Sequence, residues 1–153
     1  MKIVLKKAWL FRLLINLWPP FFFTGIRVMQ LSNDFRNLQV QLKLRFWNQN
    51  AVGAHFGGSL YAMTDPFYML MLMSQLGDKY IVWDKLADID YIKPGKGKVT
   101  ADFVLSQSLL DDIINKTQHF FFRRIAAVFD AASPQSYIYF CCFCLGKLSA
   151  KTD

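Results

Sequence analysis

The sequence predicts an α+β fold in which a curved antiparallel sheet wraps one buried helix. Three observations predict it. Residues 58–76 form a long apolar run whose one charged group is Asp65. A helix apolar on nearly all sides must be covered all round, so it belongs at a centre rather than on a surface. Residues 38–46 and 99–105 alternate apolar and polar side chains, the period of strands with one buried and one wet face. The turn at Pro94-Gly95-Lys96-Gly97 joins residues 80–92 to 99–105 as antiparallel partners. The 153 residues suffice for one core, so residues 1–153 are expected to form a single domain.

The elements follow in order. Residues 5–18 read as a helix stopped by Pro19-Pro20. Phe11, Leu14, Ile15 and Trp18 share one side, while Trp9 and Leu13 fall among polar positions, so the helix is imperfectly amphipathic. Packing onto the domain is the preferred fate of this helix. Peripheral membrane contact through Lys2, Lys6, Lys7 and Arg12 is the alternative. Residues 25–31 form a first strand, followed by a turn at Ser32-Asn33-Asp34. In the strand 38–46, Leu38, Val40, Leu42, Leu44 and Phe46 face inward. A loop over 47–56 leads into the central helix, which Gly77 ends. The strand run 80–92 bends near Asp84-Lys85. A short helix is expected over 109–116, and the last strands over 120–129 and 137–145.

Composition excludes several classes of function. The net charge is +7, which favours anionic partners. The charges are scattered rather than gathered in a stripe, so nucleic acid is not expected. The apolar fraction is 54%, yet no uncharged apolar run is long enough to span a bilayer. The longest candidate, residues 8–23, is interrupted by Arg12, Asn16 and Pro19-Pro20, and lacks the small-residue cleavage site of a signal peptide. All 11 acidic residues are Asp, so any carboxylate base must be an Asp. Cys141, Cys142 and Cys144 have no His or Cys elsewhere at metal-ligand spacing, and neighbouring cysteines rarely pair. No metal site is expected. The cysteines read as small reduced apolar residues of a cytoplasmic protein.

Residues 50–66 hold most of the chemistry-bearing groups. Burying an ionisable side chain in an apolar helix is costly, and such groups cluster at functional sites. Asp65 is therefore a candidate nucleophile or general base. Its rival role is a helix cap, because Asp followed by Pro is a common helix start. The two roles can coexist, since a Pro kink would free the Ala62 carbonyl and open space beside the carboxylate. Gly57 and Gly58 stand where the central helix begins. Unpaired N–H groups there can polarise a carbonyl, and the missing Cβ atoms allow close approach; the plainer reading is a tight turn. Asn50 and His55 flank the preceding loop and could orient water or substrate, although a lone His before a helix is more often structural. Ser59 and Thr64 are secondary candidates. Tyr61, Phe67, Tyr68, Met69, Met71 and Met73 supply a flexible apolar lining, most of it core. Lys93, Lys96 and Lys98 flank the Pro-Gly turn, where phosphate contact competes with simple solvation.

The stretch Asn50, Gly53, His55-Phe56-Gly57-Gly58-Ser59-Leu60-Tyr61, Met63, Asp65-Pro66 resembles the hot-dog-fold thioesterase superfamily, in particular a DUF4442-type branch. Trp18-Pro19-Pro20, Asp34-Phe35-Arg36, Val82-Trp83-Asp84-Lys85 and Pro94-Gly95 extend the resemblance over roughly the first three-quarters of the chain. It implies a hot-dog fold that works as a homodimer or dimer of dimers, with its site at the dimer interface. It also implies hydrolysis of an acyl-CoA or related acyl thioester, with coenzyme A as part of the substrate and no other cofactor. On that reading Asp65 attacks or activates water, Gly57 and Gly58 polarise the carbonyl, and Asn50 and His55 orient. Ser59, Tyr61, Thr64, Tyr68, Lys93 and Lys96 border the substrate. Many members place a His directly before the Gly pair, whereas here Phe56 holds that position and His55 precedes it. The alternative within the fold is a non-catalytic module that binds acyl-CoA or lipid. The sequence offers no clear match to the dehydratase pattern. After Gln118 the chain becomes rich in Phe and Cys, where the family places polar-alternating strands. A shifted reading frame or strong divergence is the hypothesis for that tail, residues 119–153. An uninterrupted frame shared by independent isolates would defeat it.

Overall fold

A computed structural model describes residues 7–77, 80–83, 88–91, 93–116, 121–123, 127–131, 139–141 and 143–147. The chain opens with helix α1 (Ala8–Leu17) and a second short helix, α2 (Pro19–Thr24). Pro19-Pro20 does end the first helix, but it also starts another. Proline lacks the N–H that a first helical turn leaves unpaired anyway, and its φ is already helical. Gly25 closes α2 with φ +84°, a left-handed cap rather than the first strand residue expected from the sequence.

Two strands follow, β1 (Ile26–Leu31) and β2 (Asn37–Lys43). They pair antiparallel with an irregularity between Val28 and Gln30. β2 ends three residues before the alternation does. The Leu44 N–H bonds to Gly97 O, and the Arg45 N–H bonds to the Asn48 side chain at 2.7 Å. That turn takes Phe46 out of the core and leaves it 81% exposed, against the expectation that it faces inward.

The central run divides into α3 (Gly57–Ala62) and α4 (Phe67–Leu76). Pro66 has no N–H to give the Ala62 carbonyl. The chain tightens instead, with the Thr64 N–H bonding to Tyr61 O at 3.0 Å. Leu60, Met63, Phe67, Tyr68, Met71 and Leu72 are all buried, as an apolar central helix requires.

Short strands β3 (Tyr80–Trp83) and β4 (Asp88–Ile89) come next, and the expected bend at Asp84-Lys85 lies outside the described residues. Strand β5 (Lys98–Val104) pairs with β2 along its whole length and with residues 127–131 on its other side. It is therefore not the hairpin partner of residues 80–92 expected from the Pro-Gly turn. Both edges of β5 are taken by other strands, and residues 80–83 and 88–89 pair with the segments 143–147 and 139–141 instead. Helix α5 (Gln107–Lys116) begins two residues earlier than expected, because the Ser106 hydroxyl accepts the Leu109 N–H at 3.2 Å. The last segments are β6 (Phe121–Arg123), β7 (Ala127–Ala131), β8 (Tyr139–Cys141) and β9 (Phe143–Lys147).

The larger sheet has the order β1-β2-β5-β7-β8-β4, and a smaller one runs β3-β9-β6. In both, the strand from residues 80–89 lies beside the strand from residues 139–147, next to the one from residues 121–131. The two sheets therefore repeat the same neighbours along one curved surface. Its inner face presents Ile26, Val28, Val40, Leu42, Val99 and Phe103 to the central helix. The ring of Phe103 meets Phe67 at 5.3 Å and Tyr68 at 5.2 Å.

Helix α1 lies along the outer edge of β1. The Asn16 amide donates to Val28 O at 3.1 Å and accepts the Val28 N–H at 2.7 Å, as a neighbouring strand would. Arg12 donates to Met29 O. Phe11 and Ala8 pack with Phe35 and Leu70 in a satellite core, which seats the helix on the domain. Phe35 has φ +58°, unusual for a side-chain-bearing residue, and its ring stands edge-on to Phe11 at 5.6 Å.

Candidate functional site

The loop before α3 is built by Asn50. Its side-chain oxygen accepts the N–H groups of Val52 at 3.1 Å and Ala54 at 3.0 Å, and its amide reaches His55 O at 3.4 Å. This Asx-type turn aims the chain into the helix. The side chain is thus committed to the loop's own backbone.

His55 is buried beneath the Pro-Gly turn. Its backbone N–H bonds to Gly95 O at 2.9 Å, and its Nε2 lies 3.2 Å from Gly97 O. A carbonyl can only accept, so Nε2 carries the proton and Nδ1 is a bare lone pair. That Nδ1 is buried and has no hydrogen-bond partner among the described residues. Burial holds the imidazole below its usual pKa, against the smaller opposing pull of the Gly97 carbonyl. Gly95 is small for a reason, since a Cβ there would sit 3.3 Å from the His55 ring.

Gly57 and Gly58 open α3, and their amides are the first two of the helix. Both glycines are faced by aromatic rings. A Cβ on Gly58 would fall 2.5 Å from the Phe56 ring, and one on Gly57 would fall 3.2 Å from the Tyr91 hydroxyl. Tyr91 also donates its hydroxyl proton to Gly57 O at 2.9 Å. Sequence reasoning missed Tyr91. It stands 34 residues from Gly57, and only the return of the chain past the helix start brings the two together.

Asn50, His55, Gly57, Tyr91 and Lys93 line one cleft of about 270 Å³. The loop and the Pro-Gly turn form its opposite walls. Lys96 and Lys98 are exposed but do not line it.

Asp65 is placed elsewhere. It occupies the break between α3 and α4, half-buried, and its backbone N–H bonds to Tyr61 O. Burial pushes its carboxyl above the usual carboxylate range. The N-cap position of α4 falls on Pro66 rather than Asp65, one residue later than the Asp-Pro cap reading expects. Among the described residues no donor or cation meets its carboxylate.

The remaining candidates sort by their contacts. The Thr64 hydroxyl donates to Tyr61 O at 2.8 Å and is fully buried, a bond that ties the helix break to itself. Ser59 is buried in the same helix, and Tyr61 is half-buried beside the core. Tyr68 is buried against Phe103 and its hydroxyl is pushed up by that burial, so it belongs to the core. Among the described residues no group of three or more His, Cys, Asp or Glu side chains is placed to hold a metal. Nor is any described helix long and apolar enough to cross a membrane.

A curved antiparallel sheet wrapped on a central helix is the architecture of the hot-dog fold. Solved structures share the architecture. PA5026 of Pseudomonas aeruginosa, a protein of unknown function named as a probable thioesterase, superposes with a TM-score of 0.75 at 12% identity, over 90% of this chain and 93% of that one. Thioesterase HI1161 of Haemophilus influenzae gives 0.63 at 12% identity, over 92% and 91%. The E. coli PaaI protein from the phenylacetic acid degradation operon gives 0.61 at 13% identity, over 90% and 89%. At these identities the likeness is one of fold. No curated protein matches the chain in sequence. The chain belongs to the family described as Domain of unknown function (DUF4442), whose model matches residues 7–130.

Proposed function

We propose that the protein hydrolyses acyl thioesters, with acyl-CoA as the substrate class, and that it does so as a dimer. The observation that carries this reading is Asp65: a half-buried carboxylate in the break of the central helix, pushed toward protonation by burial and one residue short of the α4 N-cap. A carboxylate whose pKa is raised by burial is a stronger base than an exposed one, which suits attack on an acyl group.

The reaction needs a polarised carbonyl, a nucleophile and a thiolate leaving group. The Gly57 and Gly58 N–H groups stand where a thioester oxygen would gain charge. Asp65 attacks the carbonyl carbon to give a mixed anhydride that water then hydrolyses, or takes a proton from a water that attacks directly. On either route the C–S bond breaks, the thiolate leaves and is protonated, and the acid is released. The cleft beside Lys93 would receive the polar end of the substrate. Gly58 and Asp65 are seven positions apart in the chain. At roughly 1.5 Å rise per residue they stand about 10 Å apart along the helix, too far for one substrate carbon to meet both. A partner protomer with its helix alongside supplies the missing group, which is the reason for proposing the dimer. Asn50 and His55 shape the loop that leads into the helix start.

One observation favours the non-catalytic reading. Asn50 is bonded to its own loop and His55 Nε2 to Gly97 O, so neither orients water with those atoms. The test is hydrolysis of an acyl-CoA panel by the purified protein beside Asp65→Ala, with release of free thiol followed. Turnover that disappears in a folded variant supports the hydrolase. A folded wild type that binds acyl-CoA in calorimetry without releasing thiol moves the assignment to a binding module.

A further inference from the structure

A second surface stands apart from the cleft. On the outer face of β1 and β2, a groove of about 720 Å³ is lined by Phe22, Phe23, Arg27, Lys43, Arg45 and Trp47, among others. Among the described residues no carboxylate lines it. The Arg27 guanidinium lies 5.4 Å from the Phe22 ring centre, and that of Arg45 lies 5.0 Å from the Trp47 ring. Phe46 stands edge-on to Trp47 at 4.9 Å. These rings are not core: Phe23 is 72% exposed, Phe46 81% and Trp47 51%.

Folding gives no reason for this arrangement. Burial would stabilise each ring, yet the turn at residues 45–48 presents two of them to solvent beside a cation. Large exposed apolar patches on a small protein mark interaction sites. Here the partner must accept aromatic side chains and three positive charges at once.

From this we infer that the groove docks the protein on anionic phospholipid bilayers. A lipid phosphate sits among Arg27, Lys43 and Arg45, and Phe23, Phe46 and Trp47 enter the headgroup boundary. Aromatic rings next to Lys and Arg are the side chains that settle at that depth. Arginine on a ring face also keeps its outward donors for phosphate. A single-stranded nucleic acid would use rings and cations too. The lining argues for lipid, because Phe22, Phe23 and the exposed Met29 in the same groove are apolar and offer a nucleic acid backbone nothing to bond. The inference does not depend on thioester hydrolysis.

The test is co-sedimentation of the full chain with phosphatidylglycerol-rich vesicles and with pure phosphatidylcholine vesicles. Wild type should bind the anionic vesicles, and less so at high salt. Arg27→Gln, Lys43→Gln and Arg45→Gln together should weaken that binding about fivefold per cation, roughly a hundredfold in all. Phe23→Ser with Trp47→Ser should weaken it as well. All five side chains lie outside the core, and circular dichroism of each variant verifies the fold. Three results overturn the inference: no vesicle binding by folded wild type; binding equal in wild type and both variants; or a ring-dependent self-association, or poly(U) binding, with no affinity for vesicles.

Discussion

Burial of Asp65 acts on stability and on chemistry in opposite directions. Its folded pKa lies above the unfolded value near 3.8. Its contribution to stability is therefore fully present below that value and is lost as the pH rises through the folded one. As the pH rises the fold comes to carry a charged, half-buried carboxylate with no partner among the described residues. Asp65→Asn keeps the shape and removes the charge. Thermal unfolding at pH 7 should show the variant at least as stable as wild type, while thiol release falls roughly 100-fold or more. A variant that is both less stable and fully active would make Asp65 structural. His55 works the other way on pH. Its folded pKa lies below the unfolded value of 6.5, so its contribution is fully present above 6.5 and lost as the pH falls through the folded value. Denaturant titrations at stepwise lower pH should show that loss in wild type and less of it in His55→Gln.

At the level of elements, the edge of β1 is closed by a helix rather than a strand. Strand edges invite pairing with other chains. Asn16 answers both backbone groups of Val28, and Arg12 answers Met29 O. Asn16→Ala leaves the Val28 N–H and carbonyl without their partner in a partly buried place. The cost should be about 1–3 kcal/mol. Thermal melts would measure it, and light scattering should register more association than wild type as the edge opens. The sequence showed the helix over residues 5–18 through its apolar spacing and its proline stop. It showed Asn16 merely as a polar interruption, because its partner strand is 12 residues away and reaches it only by the return through α2 and Gly25.

Over the whole molecule, the question is whether one protomer holds a complete site. A rise of roughly 1.5 Å per residue would set Gly58 and Asp65 about 10 Å apart, so in the proposed dimer each half of the chemistry would come from a different copy. Mixed dimers test this directly. Asp65→Asn and Gly58→Val are each expected to be inactive, the second because its side chain obstructs the helix start; the Phe56 ring it meets is exposed and can swing away. Co-expressed and isolated as heterodimers, they should recover part of the wild-type thiol release, since one of the two sites then has both groups intact. Heterodimers as inactive as either parent would place the site within one chain.

The sequence by itself determined the class of fold, the central helix and most of the sheet. These follow from periodicity: an all-apolar run must be covered, and period-two runs must have one wet face. It also marked residues 50–66 as the stretch with chemistry, through a carboxylate and a glycine pair amid apolar neighbours. Only the tertiary structure decided where each group points. Asn50 turned inward to its loop because its nearest N–H groups lie two and four residues on. Tyr91 came to Gly57, and the Gly97 carbonyl came to His55, from elements distant in the chain. Phe46 and Trp47 went to solvent because Asn48 bonds back to Arg45 and turns the strand. Periodicity records which face a residue prefers, whereas hydrogen bonds between distant segments select the neighbour it meets.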